Sequence, residues 1–425
     1  MPRRVVPLRH PVTLYFEGEP ARGEHGESVA AALLASGRLA LARSSKFHRP
    51  RGPACLRGGC DGCLARVDGV PNVMTCLVPA HEGTHVEVQN VLGSENIDLL
   101  RVTDWFFPEG MDHHELFAGV PGVQQVMQAF ARRVAGLGKL PSAVERPRRA
   151  VRRTTDVLIA GAGPAGMAVA TRLTAGGRKV EILDDALEVG GALRALARED
   201  LPAWGGIDGS FRAAAGAGVQ ARPTTTVGGV FGDDVLVIGP QGAEVITARA
   251  VVFATGAHDG VLAFEGNDVP GVMSARAGSL LLRCGVLVGD RVVVVVTEDG
   301  AQRGGPFGES FARAAAASGC EVTLVRGELL RVTGSRAVRG AVVRERGRER
   351  KLGADAVLVD APRAPAYELC RQAGAELVHE PRGFVVRAPK GKIRDGFYAV
   401  GEVAGAPLEP AALEQAADEV AQLIA

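Results

Sequence analysis

The chain has 425 residues, of which 46% are hydrophobic, so it is long enough for about two to four domains with sizeable cores. Its 49 basic and 48 acidic side chains nearly cancel, which leaves no charge excess of the kind that nucleic-acid or anionic-membrane binding requires. No apolar run approaches the roughly 18 residues of a membrane span, so we expect a cytoplasmic protein without such a span.

The first segment, from about residue 11 to residue 93, predicts a small α+β unit. Residues 12–16 are typical of a strand, Glu17 and Gly18 of a turn, and residues 27–36 of a short helix. Strand, turn and helix in this order indicate the start of a β-grasp fold. The basic segment at residues 44–52 is expected to be a solvated loop, with contact to a nucleotide, a partner or the cluster as the alternatives.

Four of the seven cysteines lie close together with the spacing C-x4-C-x2-C-x12-C. Three thiolates on one glycine-rich loop and a fourth from a neighbouring strand can enclose a [2Fe-2S] cluster, whose sulfurs accept from free backbone N–H groups. A four-cysteine zinc site more often pairs two C-x2-C motifs, and a plain loop is the other alternative. The predicted metal ligands are Cys55, Cys60, Cys63 and Cys76.

Residues 96–150 predict a linker with its own helix at residues 123–135. The adjacent pair His113 and His114 is expected to serve surface or packing roles, because neighbouring side chains do not share a helix face.

An apolar strand then ends in the pattern G-x-G-x-x-G, formed by Gly161, Gly163 and Gly166. These glycines permit a tight turn, the approach of a pyrophosphate, and close packing of the following helix on the strand. A second strand, Val180–Leu183, ends in Asp184, where an acid accepts a hydrogen bond from a ribose hydroxyl. The stretch therefore predicts a dinucleotide site.

Turns of small residues further along the chain are predicted to border the same dinucleotide, because small residues allow a cofactor to approach closely. One of them ends the chain's last predicted strand, so the first nucleotide unit is expected to be interrupted and resumed near the C terminus. Residues 200–249 between these turns are expected to form short strands and glycine turns. The additional cofactor-binding residues predicted are Gly190, Gly191, Ala254, Thr255, Gly256, Gly401 and Glu402.

A second nucleotide-like unit contains the buried strand Arg291–Val296 and a helix at residues 311–317. The turn between them carries Glu298 and Asp299 where a pyrophosphate would lie, and these like charges oppose binding. The next strand, at residues 321–324, lacks the terminal acid that a ribose hydroxyl prefers. A scaffold without nucleotide is therefore favoured over a nicotinamide site.

The glycine turn at 161–166, Ala-Thr-Gly at 254–256, the second unit and Gly-Glu at 401–402 together resemble the two-dinucleotide-domain flavoprotein disulfide reductases, over roughly residues 150–425. With Lys-Phe-His-Arg-Pro-Arg-Gly at 46–52, the cysteine motif and Gly-Val-Pro-Gly at 119–122, the whole chain is similar to the alpha subunits of heterotetrameric sarcosine oxidase and of the related opine oxidase and hydrogen cyanide synthase complexes. Sarcosine oxidase alpha subunits lack the four cysteines, so the chain is nearer the dehydrogenase branch of that family.

This resemblance implies an α/β protein with an N-terminal α+β β-grasp ferredoxin-like domain and two Rossmann-like nucleotide domains of the flavoprotein disulfide reductase type. The implied cofactors are a [2Fe-2S] cluster and FAD, with room for FMN at a subunit interface and with NAD(P) doubtful. The expected divisions are a β-grasp [2Fe-2S] domain at 1–95, a helical linker at 96–150, the first part of an FAD-binding domain at 151–265, an inserted NAD-like domain at 266–363, and the second part of the FAD-binding domain at 364–425.

The resemblance also implies an electron-transferring subunit that receives electrons from a partner flavoprotein, which oxidises a small amine or amino acid. No catalytic residue is assigned to this chain, and it is expected to be inactive on amines without its partner. A self-sufficient NAD(P)H-dependent reductase and a non-enzymatic iron-sulfur scaffold with a vestigial nucleotide fold are the alternatives. A disulfide reductase is disfavoured because no C-x-x-C pair follows the first nucleotide unit, and Cys284, Cys320 and Cys370 are isolated and expected to be packed.

Overall fold

A computed structural model describes residues 1–45, 47–89, 91, 98–106, 122–123, 126, 149–299, 302–303 and 305–425 of the chain. The predicted helix at 123–135, apart from residues 123 and 126, lies outside these residues, as do His113 and His114. Within the described ranges, no helix is both long enough and apolar enough to span a membrane.

The N-terminal unit is a five-stranded mixed sheet packed against one helix. Its elements are β1 (Arg3–Arg4), β2 (Pro11–Phe16), β3 (Glu19–Glu24), α1 (Val29–Ala35), β4 (Ala42–Arg43), β5 (Pro50–Arg51), β6 (Leu64–Val67), β7 (Val70–Met74), a 3-10 turn (Thr75–Leu77), β8 (His85–Glu87), a 3-10 turn (Leu99–Arg101) and α2 (Val102–Phe106). The sheet order is β3-β2-β8-β6-β7, with β2 and β8 parallel.

Alternation along β2 explains how this sheet forms its core. Leu14 and Phe16 are fully buried on the face that meets α1, as the period of two requires. Helix α1 begins at Ser28, whose hydroxyl accepts the backbone N–H of Ala31. The predicted β-grasp arrangement is confirmed.

The first nucleotide unit is built around a large twisted sheet. Its elements are β9 (Val151–Ala160), α3 (Pro164–Ala175), β10 (Val180–Leu183), 3-10 turns (Gly191–Ala195 and Leu201–Trp204), α4 (Gly205–Ala217), β11 (Val219–Arg222), β12 (Thr226–Phe231), β13 (Asp234–Gly239), β14 (Gly242–Phe253) and β15 (Ala257–His258). The strand order is β11-β10-β9-β14-β13-β12, in which β11, β10, β9 and β14 run parallel and β12–β13 form an antiparallel hairpin.

The expectation of short strands throughout residues 200–249 is wrong for α4. Ile207, Phe211 and Ala214 follow one another at helical spacing and are buried against the first sheet. Their burial outweighs the low helix propensity of the glycines in this segment, which sequence reasoning took as turns.

The second nucleotide unit has a four-stranded parallel sheet with the order β16-β25-β18-β21 and an antiparallel sheet β22-β23-β24. Helices α5 and α6 pack on one face of the parallel sheet, where Val292 and Val294 point, and the antiparallel sheet packs on the other, where Val293 and Val295 point. The elements are β16 (Val272–Ser274), α5 (Ala275–Arg283), β17 (Val286–Leu287), β18 (Arg291–Val296), β19 (Glu298–Asp299), β20 (Gln302–Arg303), α6 (Phe307–Ala317), β21 (Glu321–Arg326), β22 (Glu328–Gly334), β23 (Val338–Glu345), β24 (Arg348–Gly353), β25 (Ala356–Asp360) and β26 (Ala364–Pro365).

The last part of the chain returns to the first sheet. Strand β30 pairs in parallel with the end of β14, and helix α8 packs beside α3 in the core of the first unit. The domain boundaries drawn from the sequence remain a prediction. The elements here are α7 (Glu368–Gln372), β27 (Glu376–Glu380), β28 (Gly383–Arg387), a 3-10 turn (Pro389–Gly391), β29 (Lys392–Arg394), β30 (Phe397–Ala399), a 3-10 turn (Gly401–Ala404) and α8 (Pro410–Ile424).

Candidate functional site

The four clustered cysteines form two close pairs. Cys55, Cys60 and Cys63 lie on the loop between β5 and β6, which we call the cysteine loop (residues 55–63), and Cys76 lies in the 3-10 turn after β7. The Sγ atoms of Cys55 and Cys60 are 3.4 Å apart, and Cys63 is hydrogen-bonded to Cys76. All four are free thiols.

Backbone N–H groups of the cysteine loop point at these sulfurs. Gly59 and Arg57 donate to Cys55 Sγ at 3.2 and 3.4 Å, and Gly58 donates to Cys76 Sγ at 3.3 Å. The left-handed backbone of Leu56 and Gly58 turns the loop so that these groups face inward. Such a nest of N–H groups stabilises negative charge on the sulfurs.

The thiols within one pair differ in acidity. The pKa of the Cys60 thiol is lowered to about 6 because Cys55 donates a hydrogen bond to it, and the same hydrogen bond raises the pKa of Cys55. A thiolate is the form that binds metal. One thiol of each pair, Cys60 or Cys63, is therefore held closer to the thiolate form, while the hydrogen bond that its partner donates holds that partner, Cys55 or Cys76, protonated. Binding of a cluster would release the remaining protons.

The arrangement suits two iron atoms better than one zinc ion. Two cysteines per iron is the ligation of a [2Fe-2S] rhomb, and the sulfurs are already sorted into two pairs.

The segment at residues 44–52 is not the solvated loop that was expected. The His48 side chain is fully buried, with Nδ1 3.1 Å from Oδ2 of the equally buried Asp98, and Arg49 pairs with Asp104 at 2.6 Å. These contacts fasten the segment to residues that follow the N-terminal sheet. His48 is thus engaged away from the cysteine sulfurs.

The glycine turn after β9 and the start of α3, residues 161–166, form what we call the first cradle. A Cβ at Gly161 would lie 2.3 Å from the Ala254 carbonyl oxygen, and one at Gly166 would lie 2.1 Å from the Gly161 carbonyl oxygen, so both positions need glycine. A Cβ at Gly163 would meet only Gly191 Cα, at 3.8 Å. The backbone at Gly163 therefore faces open space.

The first cradle fits a dinucleotide pyrophosphate. Gly163 is the N-cap of α3 and has no side chain that could cap the helix. Free N–H groups at a helix N terminus bind phosphate. Asp184 lies beside the turn, where its carboxylate accepts the N–H of Ala162 at 2.7 Å and that of Ala186 at 2.9 Å.

The other predicted cofactor residues converge on this helix end. A Cβ at Gly191 would lie 2.7 Å from Gly163 Cα, and one at Gly401 would lie 2.7 Å from Ala165 Cβ. Gly190 precedes Gly191 with a left-handed φ of 117°. The Thr255 hydroxyl donates to the Ala366 carbonyl at 2.7 Å, so its role is in the turn itself.

Three of the four cysteines and part of the first cradle line one cavity of about 1450 Å³, which we call the shared cavity. The predicted site residues that do not line it are Cys63, Gly166, Gly190 and Gly401. This exceeds the volume of most single-ligand pockets. Glu402 reaches the cavity but is held in an ion pair with Arg363 at 2.7 Å. The predicted site residues that line it are Cys55, Cys60, Cys76, Gly161, Gly163, Asp184, Gly191, Ala254, Thr255, Gly256 and Glu402.

Sequence reasoning missed the residues that fix the cysteine loop against the two nucleotide units. Arg57 donates to the Ala257 carbonyl at 3.3 Å and lies 3.9 Å from the Asp259 carboxylate. Ser274 donates its N–H to the Ala54 carbonyl and its hydroxyl to Asp259, each at 2.8 Å. A basic residue inside the cysteine motif was the only available signal for these contacts.

The second unit presents a different helix end. The Glu298 and Asp299 side chains lie outside the described part of the structure, and their backbone pairs with Gln302–Arg303 as β19 and β20. A carboxylate that sequence reasoning did not single out, that of Asp360, accepts two backbone N–H groups at the start of α6.

Comparison with known proteins supports both halves of this description. Residues 9–91 match the family described as "2Fe-2S iron-sulfur cluster binding domain". The structure of L-proline dehydrogenase from P. horikoshii superposes with a TM-score of 0.71 at 21% identity and covers 99% of this chain and 75% of that chain, which shows a shared fold. The chain thus has a body of two nucleotide-type α/β units and an N-terminal iron-sulfur domain.

Sequence comparison defines the family. The alpha subunit of sarcosine oxidase from Corynebacterium sp. (strain P-1) is 30% identical over 412 residues, which are 86% of this chain and 39% of the relative. Its counterpart from Rhizobium meliloti (strain 1021) is 30% identical over 70% of this chain and 33% of its own length, and an opine oxidase subunit from Agrobacterium tumefaciens (strain Ach5) is 30% identical over 33% of this chain and 31% of its own length. The chain spans less than half the length of these relatives. It is a homologue of the sarcosine oxidase alpha subunits, an oxidoreductase family, and the predicted resemblance is confirmed.

Proposed function

We propose that this chain is the electron-transferring flavin and iron-sulfur subunit of a complex that oxidises an amine or amino acid. The observation that carries the proposal is the shared cavity, which joins the cysteine sulfurs to the first cradle. A cluster and a flavin bound there would border the same cavity, with no intervening domain for an electron to cross.

The residues divide the work between the two groups. Cys55, Cys60, Cys63 and Cys76 would hold the [2Fe-2S] cluster, and the first cradle with Asp184 would hold FAD. FAD exchanges electrons in pairs or singly and the cluster exchanges them singly, so together they convert one mode into the other. The backbone N–H groups of Gly58 and Gly59 stabilise charge on the sulfurs, and the N terminus of α3 stabilises charge on the pyrophosphate.

Amine oxidation itself is assigned to a partner. Both kinds of curated relative are named as subunits. We propose a flavin-dependent partner that oxidises the small amine or amino acid, with FMN at the subunit interface as a further electron carrier.

Two alternatives lead to different measurements. A self-sufficient NAD(P)H-dependent reductase would be reduced by NADH, which the closed helix end in the second unit disfavours. A non-enzymatic iron-sulfur scaffold would carry a cluster and no flavin, although the open first cradle favours a bound dinucleotide.

The test compares the isolated chain with the complex copurified from the native host, on a panel of secondary amines and amino acids with an artificial electron acceptor. We expect substrate-dependent turnover from the complex alone. A complex carrying Cys60→Ser should still have its partner flavin reduced by substrate while turnover falls. Robust turnover by the homogeneous isolated chain would contradict its assignment to a larger complex.

A further inference from the structure

The start of α6 is the place where the second nucleotide unit would bind a pyrophosphate. Strand β18 leads to this helix as β9 leads to α3, and both strands lie within parallel sheets. In such units the phosphate lies at the helix N terminus. We call residues 305–308, at the start of α6, the second cradle.

The second cradle already contains an anion from the chain itself. Asp360, the last residue of β25, accepts the N–H of Gly305 at 2.8 Å through Oδ1 and that of Gly308 at 2.6 Å through Oδ2. Its side chain is almost fully buried. Both carboxylate oxygens are therefore engaged by the groups that would otherwise receive a phosphate.

The glycines of the second cradle make room for protein side chains. A Cβ at Gly305 would lie 1.8 Å from Arg363 Nη1, and one at Gly308 would lie 3.1 Å from Asp360 Cβ and 2.7 Å from Val296 Cγ2. At Gly163 of the first cradle, the corresponding Cβ would meet open space. Gly305 and Gly308 thus permit close approach, and the groups that approach them are the side chains of Arg363 and Asp360.

Arg363 completes the filling of this site and extends it to the first unit. Its guanidinium lies 5.1 Å from the Phe307 ring centroid, with Arg276 at 5.3 Å from the same ring. Arg363 also pairs with Glu402 at 2.7 Å, and both side chains are nearly buried. The segment from Asp360 to Arg363 therefore covers the N terminus of α6 and connects this helix to the first unit.

We propose that Asp360 is a built-in replacement for the pyrophosphate, so that the second unit takes no NAD(P)H and serves as a fixed support for the first. A nucleotide phosphate would have to displace a buried carboxylate from two backbone donors or lie beside it as a like charge in a medium of low dielectric. This inference does not depend on the proposed function, since it concerns the second cradle alone.

The test measures binding of NADH, NADPH and ADP-ribose to the flavin-loaded full chain by equilibrium dialysis. The native chain should bind none of them with a Kd below about 1 mM. Asp360→Ser removes the carboxylate and should tighten ADP-ribose binding at least about tenfold. Glu309→Gln is the matched control, because it removes an exposed carboxylate from the first turn of the same helix, and it should behave as the native chain.

Two results would overturn the proposal. One is tight NADH binding by the native chain with its first cradle filled by flavin, a measurement that needs no variant. The other is a folded Asp360→Ser chain whose ADP-ribose affinity equals that of the native chain. If Asp360→Ser does not fold, Asp360→Asn replaces it, because asparagine keeps the shape of the side chain. Its weaker contact with the backbone N–H groups should then appear as faster hydrogen exchange at residues 305–309. Unchanged exchange would count against the proposal.

Discussion

The two nucleotide units share one architecture and differ at one helix end. In the first unit, the strand beside β9 ends in the small residues Ala254, Thr255 and Gly256, and the N terminus of α3 faces the shared cavity. In the second unit, the strand beside β18 ends in Asp360, whose carboxylate caps α6. The end of the neighbouring strand thus differs between the two units: it is followed by small residues in the first and carries a capping carboxylate in the second.

This difference shows that a glycine turn before a helix can belong to the fold without forming a nucleotide site. Glycines occur at both helix ends because both need close approach. In the first cradle a Cβ at Gly163 would meet only Gly191 Cα, at 3.8 Å, whereas in the second a Cβ at Gly305 or Gly308 would meet Arg363 or Asp360. An open helix end retains its electrostatic attraction for phosphate, whereas a capped one has already satisfied it. The first cradle is therefore the dinucleotide site that we propose, and the second is its closed counterpart.

Loss of one cluster ligand should have the largest effect. Cys60→Ser is expected to reduce iron and sulfide from about two each per chain to near zero, because the serine hydroxyl is far less acidic than the Cys60 thiol and is a much poorer iron ligand than a thiolate. Anaerobic metal and sulfide analysis measures this. Cys370→Ala, at a buried isolated thiol, is the control and should keep full iron content. Zinc in place of iron in the reconstituted native chain would contradict the cluster assignment.

Filling the first cradle should have the next largest effect. Gly163 has an ordinary extended backbone, so Gly163→Val should fold, but its side chain would occupy the space of the pyrophosphate. We expect FAD content to fall at least about tenfold, measured as flavin released per chain. Gly209→Ala is the control, at an exposed helical glycine with nothing near its Cβ, and should leave flavin content unchanged. Full flavin retention by Gly163→Val would show that the nucleotide lies elsewhere.

The closed second cradle should make stability depend on pH. Burial raises the pKa of Asp360 from 3.8 to about 6, so the folded chain binds this proton more tightly than the unfolded chain does. The contribution of this proton to the free energy of unfolding is fully present below about pH 4, and it is lost as the pH rises through about 6. Relative to Asp360→Asn, the native chain should lose up to about 3 kcal/mol across this interval in urea denaturation. A difference that stays flat or grows with pH would contradict this environment for Asp360.

The contact between the cysteine loop and the nucleotide units should have the smallest effect. Arg57→Ala removes one hydrogen bond to Ala257 and a partly exposed ion pair with Asp259, so we expect a loss of about 1 kcal/mol. Iron content should not change, because the hydrogen bond from Arg57 to Cys55 Sγ is donated by the backbone N–H, which the substitution keeps. Only the side-chain contacts of the loop are lost. Arg57→Lys tests whether charge alone suffices. A large loss of iron in Arg57→Ala would mean that the side chain shapes the cluster pocket directly.

The sites that could be predicted are local in the sequence. The first cradle and Asp184 lie within one strand, turn, helix and strand, and three of the four cysteines share one loop. The β-grasp start and the buried strand Arg291–Val296 follow from alternating and continuous apolar patterns. These predictions needed no information about which distant strands become neighbours.

The features that could not be predicted depend on distant neighbours. Asp360 reaches Gly305 across 55 residues because β25 lies next to β18, and nothing near Asp360 in the sequence indicates a capping role. His48 lies in a basic, polar segment and yet is buried against Asp98. Helix α4 contains several glycines and forms because Ile207 and Phe211 bury one of its faces. In each case the tertiary partner outweighs the local signal.

Electron exchange within the isolated chain shows whether the cluster and the flavin both occupy the shared cavity. The chain, loaded with cluster and FAD under anaerobic conditions, is mixed with less reductant than both groups can accept, and flavin absorbance and the cluster's EPR signal are followed together. If both groups occupy the shared cavity, they should redistribute electrons within milliseconds at a rate that does not depend on protein concentration. A cluster that stays oxidised beside reduced flavin, or that is reduced only at a rate proportional to protein concentration, would contradict the account.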